Sequence, residues 1–305
     1  MFISKSFTAE SGCLALIGGG LIGTLATSRV MGRGTLLPSS TFTLFQSPLL
    51  SLFGLYLLNS SLFLTSPSSF FDPPSSLSLP LLLLSGILIG VGSKLGSGCT
   101  SGNGIQGLST LSPSSFIFVI TMMFAGSLTA TYTRTTIAYN NDENTFKQCY
   151  KLIAFTIFTS TSQLYVKTYP IADILSGIAF SGALTISGMV KPSKVFSFLD
   201  FANDVTGFDP SLGLVMGGAL LVSLPSFQWL GLSEKPGIKE WKNRPIDWKT
   251  FVGGILFGAG WGLGGICPGP GLTTAGMSLG GMVWVAAMFG ARGALGMVQQ
   301  KGKQD

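Results

Sequence analysis

The sequence contains no histidine, and this absence removes several kinds of chemistry. The 305 residues include 18 lysines and arginines and 12 aspartates and glutamates. Catalysis by a Ser-His-Asp or Cys-His arrangement needs an imidazole base, so neither arrangement is available. The four cysteines, at positions 13, 99, 149 and 267, include no C-x-x-C pair, so a metal centre lacks its usual ligands. We therefore expect neither a metal nor a cofactor.

Charged residues are also scarce. They make up 10% of the chain, compared with about 25% in ordinary soluble domains. Runs of about 18 or more mostly apolar residues recur, and a helix needs this length to cross the hydrocarbon core. The sequence predicts an all-α polytopic integral membrane protein with about nine transmembrane helices, near 12–31, 42–64, 79–97, 115–137, 149–166, 171–190, 210–230, 250–266 and 282–299.

One glycine-rich segment occurs twice. "GILIGVGSKLGSGC" (Gly86–Cys99) and "GILFGAGWGLGGIC" (Gly254–Cys267) both place a cysteine thirteen residues after the first glycine of Gly-Ile-Leu. This spacing predicts two repeats, 12–138 and 171–299, within one membrane domain spanning 1–305. A linker helix in 139–170 would make the repeats inverted, an arrangement typical of transporters with a binding site at the midplane. Chance similarity between glycine-rich membrane helices is the alternative.

The loops around the two cysteines favour anion binding. "GNGIQG" (Gly102–Gly107) and "GWGLGG" (Gly260–Gly265) match G-x-G-x-x-G, but neither follows a strand of a βαβ unit, so neither is a dinucleotide site. Glycines expose backbone N–H groups, and the N-terminus of a broken helix attracts anions. Inside a membrane, broken helices are tolerated where they are buried or line a cavity. We therefore predict short re-entrant or broken helices that carry Cys99 and Cys267.

The same two segments resemble a known family. "GSGCTSGNGIQGLSTLSPSS" and "GAGWGLGGICPGPGL" are similar to the signature segments of the YeeE/YedE family of sulfur-compound transporters, and the chain looks like two half-length members fused. The resemblance implies uptake of thiosulfate or a related sulfur anion, with Cys99 and Cys267 on the substrate path. Relatives commonly have histidine at the place of Asn103 and cysteine at the place of Gln106, so this chain departs from the family pattern there.

The predicted substrate-binding residues are those of the two cysteine loops together with one nearby cation. They are Cys99, Thr100, Ser101, Gly102, Asn103, Gly104, Gln106, Cys267, Gly269, Gly271 and Lys94. Lys94 and Arg292 both fall at membrane depth, where an ionisable residue either serves the function or extends to the interface. Cys13 and Cys149 have no counterpart in the other repeat and are interpreted as packing residues.

Three functions remain open at this stage. The first is a transporter of thiosulfate, and the second is a permease for another inorganic anion such as sulfite. The third is a membrane sulfurtransferase that forms a cysteine persulfide, although no base that would activate a thiol is evident. We expect transport rather than catalysis, with a small sulfur anion and the lipid bilayer as partners, no nucleic acid, and a cytosolic sulfur-accepting protein as a further candidate partner.

Charge placement predicts the orientation. Lys and Arg are more numerous in the loops on the face that carries the C-terminus, which the positive-inside tendency assigns to the cytoplasm of a plasma-membrane protein. The polar loop "SEKPGIKEWKNRPIDWK" (Ser233–Lys249) carries five of the eighteen basic residues. Its alternating charges predict a solvated surface near the lipid headgroups.

Overall fold

The protein is helical throughout the part that the structure, a computed structural model, describes: residues 8–33, 77–133, 153–159, 169–201, 207–275 and 278–301. A short helical segment covers 153–159. The other helices in chain order are α1 (Ala9–Arg33), α2 (Leu79–Leu95), a π-helical segment (Thr100–Gly107), α3 (Pro113–Thr133), α4 (Tyr169–Ile186), α5 (Pro192–Leu199), α6 (Ser211–Trp229), α7 (Ile238–Lys242), α8 (Trp248–Gly264), α9 (Pro268–Ala275) and α10 (Leu279–Lys301).

Several of these helices are long and apolar enough to cross a bilayer. Among the described residues there are four such helices, α1, α3, α6 and α10, and six spans if α2 with the π-helical segment and α8 with α9 each count as one. Apolar side chains such as Phe124, Leu221 and Met297 are exposed on their outer surfaces, as contact with lipid requires. The chain is therefore an all-α, multi-pass membrane protein. The predicted span 42–64, and 149–166 apart from 153–159, lie outside the described residues.

Helix α4 corresponds to the predicted span 171–190 but ends four residues before its predicted end, and a short helix that was not predicted follows it. Helix α4 ends at Ile186, and Gly188 adopts a left-handed conformation with φ of 72°. Glycine takes this conformation without steric cost, so the chain turns there. It then forms the short, largely buried helix α5, which begins at Pro192, a favourable residue at the first helical position.

The described helices pack in two groups. In the first, α8 lies against both α2 and α3, and α10 lies against α2. In the second, α1 lies against α4 and α6. The π-helical segment contacts α1, α3 and α6, while α5 contacts α3, α6 and α8, and α9 contacts α4 and α10. These three short elements therefore bridge the two groups.

Glycines make reciprocal contacts between α2 and α8. A Cβ on Gly92 would meet the backbone of Phe257, and a Cβ on Gly260 would meet the side chain of Ile89. The two glycines differ by 168 positions (260 − 92), and so do their neighbours (257 − 89). Because the later residue on one helix meets the earlier residue on the other, the two helices run antiparallel.

Similar reciprocal contacts join α2 to α10 and α8 to α3. Gly90 of α2 lies against the Met288 carbonyl oxygen of α10, and Gly258 of α8 lies against the Met122 carbonyl oxygen of α3. Small residues allow such close backbone approach, and the resulting van der Waals packing helps helices to associate in membranes. Helix α2 thus packs against α10, which follows α8 and α9 in the chain. Helix α8 packs against α3, which follows α2 and the π-helical segment.

Gly258→Ala is expected to destabilise the folded protein by about 1–3 kcal/mol, the usual effect of overpacking. The added methyl would clash with the Met122 carbonyl oxygen and would also approach Ala125 on α3. The loss of stability is measured by heating the protein in detergent and quantifying the remaining folded fraction by size-exclusion chromatography. Gly293→Ala is the control, because a Cβ there would meet no described atom within 4 Å. Equal loss in both variants would contradict a specific contact at Gly258.

Candidate functional site

Two breaks in the helices define the candidate site. Helix α2 and the π-helical segment are bent by 41°, and α8 and α9 are bent by 42°. Cys99 is the N-cap residue of the π-helical segment, and Cys267 directly precedes Pro268, the first residue of α9. The prediction that broken helices carry the two cysteines is confirmed.

The two breaks have similar backbone geometry. Ser97 and Gly265 both adopt left-handed conformations, with φ of 56° and 63° respectively. These positions again differ by 168 (265 − 97). A left-handed residue ends a helix because it redirects the chain away from the helical path. For Ser97, which has a Cβ, this conformation is unfavourable and must be held by its surroundings.

Both thiols line one cavity of about 270 Å³ between the two helix groups. From the first break, Cys99, Thr100 and Ser101 contribute to its wall, and from the second break Cys267 and Gly269 do so. Cys99 and Cys267 are each at most 3% exposed. The structure therefore brings five of the predicted residues, from distant parts of the chain, to one buried space.

Thr100 connects the two breaks. Its hydroxyl oxygen lies 3.6 Å from the Cys267 sulfur and 3.8 Å from the Met122 sulfur. A thioether sulfur only accepts hydrogen bonds, so the Thr100 hydroxyl donates to Met122 and is left to accept from the Cys267 thiol. The Cys99 sulfur lies 3.1 Å from the Ser101 hydroxyl oxygen. Each thiol thus has a hydroxyl partner from the first break.

Sulfur atoms are unusually frequent in the cavity wall. Four methionines, Met122, Met123, Met189 and Met216, line it together with the two cysteines. Thioether and thiol sulfurs are polarizable and interact well with soft groups. Sequence reasoning did not identify these methionines. Met123 is the first residue of the segment "MFAGSLTA", which matches "MFGARGAL" in the second half, and Met122 directly precedes it. This similarity was the only sequence signal for these two methionines.

Asn103 does not line the cavity but holds the first break in place. It is fully buried, and its side-chain amide donates to the Gly96 carbonyl oxygen at 3.3 Å. Its side-chain oxygen accepts from the Ser115 hydroxyl at 3.0 Å and from the Arg244 guanidinium at 3.1 Å. The residue thereby ties the π-helical segment to the end of α2 and to α3.

Arg244 corrects the interpretation of the polar loop as a solvated surface. It donates to the Gly96 carbonyl oxygen at 3.4 Å and to Asn103, and it lies 4.7 Å above the ring of Trp241. Burial lowers the pKa of Arg244 to about 10, so the guanidinium remains charged at neutral pH. The loop therefore reaches into the protein, whereas Lys239 and Glu234 form an exposed ion pair, as predicted for a solvated surface.

The remaining predicted residues lie around the cavity rather than on its wall. Gly104 packs against Met216, with 2.8 Å between the Met216 Cε atom and the place of a Cβ. Gly271 packs against the Trp284 ring, whereas a Cβ on Gly102 would meet no described atom within 4 Å. Gln106 is buried, and its amide nitrogen has no hydrogen-bond partner among the described residues.

The two basic residues at membrane depth lie together at the end of α2. The Arg292 guanidinium donates to the Ser93 hydroxyl at 3.0 Å. The Lys94 ammonium lies 3.6 Å from the place of a Cβ on Gly296, one turn further along α10. Neither residue lines the cavity. They place positive charge beside the first break, where it adds to the field of the helix N-terminus.

Comparison with known proteins gives matches to both parts of the chain. Residues 66–129 match the family described as "Sulphur transport", and residues 168–304 match a family of unknown function, DUF6691. A "Probable transporter" of Xylella fastidiosa strain Temecula1 is 36% identical over 120 residues, which cover 38% of this chain and 80% of the relative. A "Probable transporter" of strain 9a5c is also 36% identical over 120 residues, covering 38% of this chain and 81% of that relative.

Proposed function

This chain belongs to the YeeE/YedE family of sulfur-compound transporters, and from that premise we propose that it imports thiosulfate or a closely related sulfur anion. The proposed path runs through the cavity that Cys99 and Cys267 line. One observation carries the proposal: two separate helix breaks place a thiol each on the same buried wall, with the Thr100 hydroxyl 3.6 Å from the second thiol.

The chemistry of the cavity suits an anion with two unlike ends. Thiosulfate has a hard, oxygen-bearing end and a soft terminal sulfur. The Ser101 hydroxyl and the amides at the helix N-termini supply donors for oxygen. The cysteines and methionines of the wall supply polarizable contacts for sulfur. Thiol hydrogen bonds are weak, and weak contacts allow the anion to leave again, as conduction requires.

We further propose that the chain consists of two inverted repeats, 12–138 and 171–299. The antiparallel packing of α2 and α8 and the glycine contacts that exchange under a shift of 168 positions support this organisation. In such transporters the substrate binds between the repeats. In the same proposal, the protein lies in the plasma membrane with a cytoplasmic C-terminus, where a cytosolic protein could accept the sulfur.

Uptake of thiosulfate labelled at its terminal sulfur, measured in proteoliposomes, tests this function. We expect saturable uptake that unlabelled thiosulfate suppresses and that an equal concentration of sulfate suppresses less, because sulfate lacks the soft sulfur. Empty liposomes are the control. Uptake that sulfate and thiosulfate suppress equally would contradict recognition of sulfur and would favour a permease for inorganic anions in general.

The same preparation distinguishes transport from catalysis. A sulfurtransferase would transfer the terminal sulfur of thiosulfate to the thiolate of Cys99 or Cys267, breaking the S–S bond of thiosulfate and releasing sulfite. Mass spectrometry of the intact protein detects the sulfur added in the resulting persulfide. In the described part, both thiols hydrogen-bond to hydroxyl groups, which do not serve as a base for thiol activation. We therefore expect uptake without a stable persulfide.

A further inference from the structure

The first break leaves two helix ends of opposite polarity beside Cys99. The π-helical segment begins at Thr100, and the amides at its N-terminus attract an anion. Helix α2 ends at Leu95, with Gly96 as its C-cap residue. The carbonyl groups at a helix C-terminus carry partial negative charge. This end of α2 therefore repels an anion at Cys99 unless a cation offsets it.

Arg244 of the polar loop lies at this C-terminal end of α2. Its guanidinium donates to the Gly96 carbonyl oxygen at 3.4 Å, to the Asn103 side-chain oxygen at 3.1 Å and to the Trp241 carbonyl oxygen at 3.2 Å. All three acceptors are uncharged. Within the described ranges, Arg244 forms no ion pair, so no bonded carboxylate neutralises its positive charge.

An acidic residue, Asp247, lies near Arg244 and acts on it electrostatically, but its hydrogen bonds go elsewhere. As the N-cap residue of α8, Asp247 accepts from the Thr250 backbone N–H at 3.1 Å and from the Thr250 hydroxyl at 3.2 Å. Arg244 is partly buried, and its hydrogen bonds hold the guanidinium against α2. Salt screens a partly buried charge less than one on the surface, so the field of Arg244 reaches the first break.

Asn103 connects the guanidinium to Cys99. Its backbone N–H donates to the Cys99 carbonyl oxygen at 2.8 Å, while its side-chain oxygen accepts from Arg244. Arg244 thus lies two hydrogen bonds from Cys99, although it does not line the cavity. This connection brings a fixed positive charge close to the place where the proposed path puts the anion.

We propose that Arg244 is a positioning residue whose charge offsets the negative end of α2 and thereby sets the affinity of the first break for the anion. This inference rests on the proposed function and gives the polar loop Ser233–Lys249 a part in substrate binding. The side chain holds Gly96 and Asn103 in place, and its charge acts through space on an anion beside Cys99. A cation at a helix C-terminus is favourable in itself, so the fold keeps this charge in place when no anion is bound.

Arg244→Gln and Arg244→Lys test the proposal in the uptake assay. Both replacements carry a donor for Gly96 or Asn103, but only lysine keeps the positive charge. We expect the KM for thiosulfate to rise about tenfold in Arg244→Gln and by less than about threefold in Arg244→Lys, because a charge about 10 Å away at an effective dielectric constant of about 20 has an effect of this size. Lys249→Gln is the matched control, since it removes the same charge from an exposed site in the same loop. Equal KM values in the two Arg244 variants would show that the side chain is only a structural tie and would overturn the proposal.

Thermal denaturation in the presence of thiosulfate separates binding from transport. A ligand that binds the folded protein raises its Tm, and the concentration needed for a given rise follows the Kd. We expect Arg244→Gln to need about tenfold more thiosulfate than the wild type for the same rise in Tm, and Lys249→Gln to need no more. If the variants differ in this way but thiosulfate is not transported, the proposed function fails and the role of Arg244 stands. If thiosulfate is transported and Arg244→Gln needs no more of it, the role of Arg244 is wrong. Absence of both stabilisation and uptake would contradict both.

Discussion

Replacing both Cys99 and Cys267 with alanine is expected to reduce thiosulfate uptake to background while the protein still folds. Each single variant is expected to lose about tenfold, which corresponds to about 1.4 kcal/mol of lost interaction. The physical reason is that the two thiols lie on the same cavity wall, where they can contact the terminal sulfur of the anion. Initial uptake rates in proteoliposomes, normalised to the amount of inserted protein, give the result.

Three further variants make this test specific. Cys13→Ala should retain wild-type uptake, because Cys13 is exposed on α1 and is not part of the cavity wall. Serine at position 99 or 267 keeps a donor of similar size but lacks the polarizable sulfur, so it should restore uptake only partly. If the double alanine variant folds and transports at the wild-type rate, the thiol path is wrong, and the backbone amides of the two breaks would have to hold the anion.

Gly104→Val is expected to lose about tenfold or more of the uptake rate through overpacking beside the cavity. A Cβ at Gly104 would lie 2.8 Å from the Met216 Cε atom, and Met216 is part of the cavity wall. The end of a methionine side chain moves easily, so the two valine methyl groups would push it into the cavity and leave the helices in place. Uptake and thermal stability should both be measured.

Gly217→Val is the matched control for this prediction. Gly217 is the neighbour of Met216 on α6, and a Cβ there would meet no described atom within 4 Å. The substitution therefore introduces the same β-branched residue beside the same methionine without filling the cavity. Similar uptake in both variants would show that the space around Gly104 is unimportant for transport.

The sequence predicted the broken helices well because the relevant signals are local. Cys99 and Cys267 stand at the same distance from a Gly-Ile-Leu motif, and glycine and proline next to them favour a break at that point. Helix α5 was missed for the opposite reason. It has only eight residues, among them Lys194 and two serines, so its sequence contains no long apolar run, and its burial depends on contacts with α3, α6 and α8.

The rest of the cavity could not be predicted because it depends on contacts between distant residues. Met189 and Met216 reach the cavity from the second helix group, and neither stands in a motif. Arg244 binds Asn103 across 141 positions of sequence, from a loop whose composition indicates only a solvated surface. Trp261 also lines the cavity. It lies within the repeated segment, but Ser93 occupies its place in the first half, so the repeat does not predict a tryptophan there.

The prolines of the second break make the two sides of the cavity electrostatically unequal. In the π-helical segment, Asn103 is the first residue whose amide bonds back, to the Cys99 carbonyl oxygen at 2.8 Å, and the amides of Thr100, Ser101 and Gly102 precede it. In α9 the corresponding bond joins Gly271 to the Cys267 carbonyl oxygen at 2.7 Å. Pro268 and Pro270 carry no N–H, so only the Gly269 amide precedes that bond. On the proposed path, an anion that moves from the first break to the second would pass from three main-chain donors to one, and we therefore expect it to rest beside Cys99.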